Sequence, residues 1–153
     1  MKAYQKILFV CNNGTLRGPM AEAIMKEYHL KREMQIESRG LVVLFPEPLN
    51  QKAEAVLISN GISVKDFMAR PLTEEDIQET TLIIVMEETQ RWKVLKEYPM
   101  AQEAQVQVLT QMVGDELEIV DPYGNNLPLY GICYETLNRS IKKLVEKLNE
   151  EEN

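Results

Sequence analysis

The chain has 153 residues, 44% of them hydrophobic and 27% charged, and a net charge of −7. That size suits one domain, residues 1–153, burying roughly two-thirds of its unfolded surface, and the mix excludes a disordered or fibrous chain. The acidic surplus argues against nucleic acid; no apolar run nears the ~20 residues of a membrane span and no signal-like segment opens the chain, so a cytoplasmic protein without membrane contact is expected.

The first element is a short, continuously apolar run at residues 7–10, the pattern of a strand covered on both faces. It ends on Cys11 and is followed by Asn12, Asn13, Gly14, Thr15, Leu16 and Arg17. Pro19 then fits the first turn of a helix, and Met20, Ile24 and Tyr28 recur at helical spacing, placing His29 well along that helix on its surface. A weaker strand is expected at residues 35–38. Asn50 caps a helix running through Ile58 and ended by Gly61. Thr73-Glu74-Glu75-Asp76 has capping-box spacing and opens a short helix. Residues 81–86, TLIIVM, form a strand, followed by a helix that stops before Pro99. Residues 106–109 make a fourth strand. Leu137, Ile141, Leu144 and Leu148 mark an amphipathic last helix whose tail, EEEN, frays. Strands alternating with helices predict a single α/β domain with a parallel sheet and helices on both faces.

In such a sheet ligands bind beyond the carboxyl ends of the strands, where Cys11 falls. A strand-to-helix turn presents several backbone N–H groups to one point and suits an anion. Arg17 offers a planar fork for phosphate oxygens. Amides, helix dipole and guanidinium together predict a depressed Cys11 pKa, in the ~3.5–7.5 range of activated thiols. A C-x5-R pattern is common by chance, however, and taken alone is read first as a structural cysteine beside a capping loop. The second segment, IVDPYGNN, carries Asp121, held in an extended turn by Pro122, and Tyr123, an aromatic wall for a flat substrate. Taken alone, Asp-Pro reads as the start of a loop. Two cysteines (Cys11, Cys133) and one histidine supply neither a four-ligand zinc site nor a disulfide framework.

Together the segments resemble the low-molecular-weight protein tyrosine phosphatase family, including the related protein-arginine phosphatases. VCNNGTLR matches the family's V-C-x5-R loop and DPY its late Asp-Pro-aromatic, while PMAEAI, NGISVKDFMARPLTEEDI and the VME after TLII fall where the family's segments do. The resemblance implies a four-stranded parallel sheet with a phosphate-binding loop after the first strand, and phosphomonoester hydrolysis through a cysteinyl-phosphate. It implies Cys11 as nucleophile, Arg17 and the loop 12–16 with Gly18 as phosphate ligands, Asp121 as general acid, Tyr123 against the substrate, and neither metal nor cofactor. A phosphorylated protein or small phosphomonoester is the expected substrate, with inorganic phosphate or sulfate fitting the same loop, and a monomer is expected. Three departures predict a slow enzyme or a phosphate-binding module without turnover: Gly18 replaces the hydroxyl residue that eases sulfur's departure, Asn13-Gly14 inverts the usual Gly-Asn order, and Phe67 stands for a histidine behind the loop. Thr15, where tyrosine phosphatases carry isoleucine and arginine phosphatases threonine, opens the phosphoarginine alternative. Leu16 replaces a cysteine and removes redox protection beside the nucleophile. Arsenate reductases need further mid-chain cysteines that are missing here, and phosphocysteine carriers do not need Asp121. Phe45, in LFPEP, is a second candidate aromatic wall.

Overall fold

The computed structural model describes residues 3–152. Four strands, β1 (Lys6–Cys11), β2 (Gln35–Gly40), β3 (Thr81–Val85) and β4 (Val106–Val108), form one parallel sheet in the order β2-β1-β3-β4. β1 is central and buried, and its side chains alternate between two cores. Ile7, Phe9 and Cys11 join the larger one, with α1 (Arg17–Met25), α2 (Gln51–Ser59) and α5 (Leu127–Glu150). Leu8 and Val10 join the smaller, with Ile83 and Val85 of β3 and Val94 of α3 (Glu88–Glu97). Strands covered on both faces have no polar side to show, which is why β1 and β3 read as unbroken apolar runs.

The elements differ from expectation mainly at their ends. β1 extends to Cys11, because the ladder with β2 continues to the pair Cys11↔Gly40; for the same reason β2 outruns residues 35–38. α1 stops at Met25, so Tyr28 and His29 lie beyond it, His29 still exposed. The chain there tightens into turns, Glu27 N to Ile24 O and Tyr28 N to Met25 O, and Tyr28 OH donates to Asn138 Oδ1 of α5 at 2.7 Å. Asn50 caps α2 as expected, its Oδ1 accepting from Lys52 N and Ala53 N. Thr73 opens only a three-residue 3-10 turn, with Asp76 Oδ2 accepting from Thr73 N at 2.9 Å.

Leu109 is not strand: it begins a short helix, α4 (Leu109–Val113), closed by Gly114 at φ +78°. α5 starts ten residues before its apolar stripe, because Asn126 caps it, with Oδ1 accepting from Leu129 N, and Pro128 sits in its first turn. The helix ends at Glu150 and Glu151–Glu152 form a turn; Asn153 lies outside the described residues. Among the described residues no helix is long and apolar enough to cross a membrane.

Candidate active site

The loop from Asn12 to Leu16 joins the last residue of β1 to the first of α1, at the carboxyl edge of the sheet. Its curvature depends on Gly14, at φ +73°. A Cβ there would meet Gly40 N at 3.0 Å, and a Cβ on Gly40 would meet Gly14 N and Asn13 C at 2.8 Å. Loop and β2 end thus pass as backbone against backbone, which two glycines permit. Leu41 N donates to Cys11 O, Val42 N to Asn12 O and Asn50 N to Thr15 O, at 2.8–2.9 Å. Asn13 is exposed, and its Oδ1 accepts from Thr15 OH at 3.1 Å and Thr15 N at 3.4 Å. The inverted Asn13-Gly14 order therefore puts glycine at the left-handed position and the amide one step earlier, where it closes a turn on Thr15. Thr15 and Leu16 are buried.

Cys11 lies at the base, 2% exposed, and Gly18 N donates to its Sγ at 3.3 Å. Burial pushes the Cys11 thiol above its ordinary value, against the Gly18 amide, the Arg17 charge, and the Gly14 and Leu16 amides, which all pull it down. The expected depressed pKa is corrected in this geometry: the groups predicted to favour thiolate are in place, but complete burial outweighs them. Their reach is shortened because Arg17 is already engaged. Its guanidinium, itself 2% exposed, donates to Glu87 Oε2 at 2.5 Å and to Ile119 O at 2.7 Å, and Asp121 Oδ2 stands 3.8 Å away. Sequence positions 17, 87 and 121 thus converge on one buried cation.

Asp121 is exposed, its side chain to 41%, and its Oδ1 accepts from Tyr123 N at 3.1 Å, closing a tight turn over Pro122. Tyr123 and Phe45 are each 63% exposed. Phe67 packs half-buried against the larger core and lines a surface cavity of about 420 Å³ with Pro19, Ser38 and Arg39. Cys133 is buried on α5, and desolvation pushes it up to about 12. Among the described residues no group of three or more His, Cys, Asp or Glu could hold a metal ion.

Two residues escaped the sequence reading. Glu87, two residues past β3 and just before α3, pairs with Arg17. Gln90 braces the loop: its Nε2 donates to Asn12 Oδ1 at 3.1 Å and its Oε1 accepts from Met86 N and Glu87 N. The usable signal was positional, since a carboxylate just after an apolar strand that pairs with β1 falls on the same sheet edge as Cys11.

Residues 6–153 match the family described as "Low molecular weight phosphotyrosine protein phosphatase". The low molecular weight protein-tyrosine-phosphatase PtpB of Staphylococcus aureus is 31% identical over 139 residues, 91% of this chain and 96% of that protein. The structure of the YwlE arginine phosphatase from Geobacillus stearothermophilus superposes with a TM-score of 0.88 at 28% identity, covering 96% of this chain and 94% of that one. That of a low molecular weight protein tyrosine phosphatase from T. tengcongensis gives 0.87 at 33% identity, covering 94% and 99%. A parallel four-stranded sheet with a cysteine loop after its first strand, matched over nearly its whole length, places this chain in the low-molecular-weight phosphotyrosine protein phosphatase family of cysteine-based, metal-independent phosphatases.

Proposed function

We propose that this enzyme hydrolyses phosphotyrosine in proteins through a cysteinyl-phosphate on Cys11. The observation that supports the reading is that the Arg17 guanidinium acts on both the Cys11 sulfur, which also faces the Gly14, Leu16 and Gly18 amides, and the Asp121 carboxyl 3.8 Å away. Arg17 and the loop amides, together with those of Asn12, Asn13 and Thr15, hold the phosphoryl oxygens and stabilise the charge spread over them in the transition state. The Cys11 thiol passes its proton to a phosphoryl oxygen of the bound substrate as its sulfur attacks phosphorus, and Asp121 gives its proton to the departing oxygen. Asp121 then takes a proton from water, whose oxygen bonds to phosphorus as the S–P bond breaks. Tyr123 and Phe45, both exposed, are the aromatic surfaces this reading offers to the substrate's ring. Gly18 itself brings no hydroxyl to the sulfur. Inorganic phosphate and sulfate occupy the same loop as product and mimic.

A second reading, phosphoarginine hydrolysis, draws on Thr15 and on the likeness to the arginine phosphatase. The Thr15 hydroxyl gives its hydrogen to Asn13 Oδ1, leaving oxygen lone pairs to accept from a guanidinium N–H.

The test is turnover of para-nitrophenyl phosphate near pH 6, with Cys11→Ser and Asp121→Ala alongside, then phosphotyrosine against phosphoarginine peptides. Loss in the serine variant and reduction in the alanine one support the mechanism. Absence of turnover in the folded wild type, with phosphate still bound, replaces it by a phosphate-binding module.

A further inference from the structure

Among the described residues, one buried side-chain polar atom has no hydrogen-bond partner: Oγ of Ser38, in a residue 5% exposed. Buried hydroxyls are nearly always paired, and an exception calls for an explanation. Its location supplies one. Ser38 pairs with Phe9 across the ladder and Gly40 pairs with Cys11, so Ser38 and Cys11 are diagonal neighbours. They share a sheet face, because β1 alternates and both Phe9 and Cys11 enter the larger core. Between them lies Gly18. A Cβ built there would be 3.1 Å from Cys11 Sγ and 3.5 Å from Ser38 Cβ, so both side chains border the space that a side chain at position 18 would fill.

We propose that the Ser38 hydroxyl donates a hydrogen bond to the Cys11 sulfur across the space left by Gly18, stabilising the thiolate as it leaves phosphorus. The inference rests on the phosphatase reading and names the group that serves its second step. A neutral thiol is a weak acceptor, and Ser38 Oγ stands unpaired across that space. As the S–P bond breaks, its electron pair stays on sulfur and makes that atom an anionic acceptor, while water's oxygen bonds to phosphorus and its proton passes to Asp121. Rotation about the serine χ1 then turns the hydroxyl onto the new charge, with no residue on α1 needed to supply one. A hydroxyl brought by β2, not α1, is also held by the ladder and does not depend on the loop's own conformation.

Ser38→Ala, Gly18→Ser and the double variant test this, with two readouts. The first is the pH midpoint of iodoacetamide alkylation at Cys11, followed by mass on the Cys11 peptide; it needs no turnover. Ser38→Ala raises that midpoint by about one unit, the size of one hydrogen bond to an anion, with an unchanged melting temperature. The second is para-nitrophenyl phosphate kinetics: kcat and KM fall together about tenfold, and a burst near one equivalent shows phosphoenzyme accumulating. Gly18→Ser in the Ser38→Ala background restores both. An alkylation midpoint unmoved in folded Ser38→Ala, or a double variant no better than Ser38→Ala, overturns the assignment. A midpoint that moves in a protein showing no wild-type turnover keeps the contact and discards the enzyme reading instead.

Discussion

Replacing Glu87 by Gln removes one negative charge from Arg17 while keeping an oxygen at the same place, so the capping of α3 survives. The geometry sets the size of the effect. Arg17 Nη2 lies 2.5 Å from Glu87 Oε2, with charge centres roughly 4 Å apart, and unit charges at that distance attract by about 4 kcal/mol at an effective dielectric near 20. Most of this is offset by desolvation and by water around a carboxylate that is 31% exposed, leaving a net loss of about 1–2 kcal/mol. For a chain of this length that lowers the melting temperature by about 3–6 °C. The same change frees the guanidinium for anions. Inorganic phosphate should bind about tenfold more tightly, equal to about 1.4 kcal/mol, and Cys11 should titrate lower because the neighbouring cation is less neutralised. Calorimetric titration with phosphate and thermal melts measure both. Glu88→Gln is the control: Glu88 loses the same charge but accepts from Gln111 Nε2, away from Arg17. If Glu87→Gln matches Glu88→Gln in both phosphate affinity and melting temperature, the Arg17–Glu87 pair carries no coupling and the reasoning fails.

Gly14→Ala should destabilise by about 2–4 kcal/mol, lowering the melting temperature by roughly 6–12 °C, because φ is +73° and the added methyl meets Gly40 N at 3.0 Å; an unaltered melt would mean the loop relaxes freely. Asp115 joins the turn after α4 to α5: burial raises its pKa, but bonds from Lys143 Nζ and Ser140 Oγ (2.6 Å) hold it lowered overall. Its contribution is therefore full above the unfolded value and lost as pH falls through the lower folded one. Asp115→Asn should cost about 1 kcal/mol at pH 7 and little near pH 2 in denaturant titrations, and a difference that persists in acid contradicts the assignment.

The alternation of elements, the parallel sheet and the loop joining β1 to α1 were legible in the chain, because a strand covered on both faces has to be apolar throughout and a helix start has to satisfy its own amides. So was the meeting of positions 11 and 17, six residues apart across one turn. Asp121 was legible only as half of a paired signature: nothing local in DPY says that its carboxyl lies 3.8 Å from Arg17.

What the tertiary structure decided has a common cause, namely that its partners lie far apart in sequence. Glu87 looks like any acidic helix-start residue until β3 sets it beside β1. Gly40 looks like a strand breaker until Gly14 is packed against it. The α4 helix is too short to show a period, and the early start of α5 was hidden because its first turns carry half-exposed apolar residues such as Ile132. The thiol's state followed the same rule. Sequence spacing places the groups that lower the Cys11 pKa, all within seven residues, but only the assembled core sets how deeply the sulfur is buried, and burial opposes every one of them.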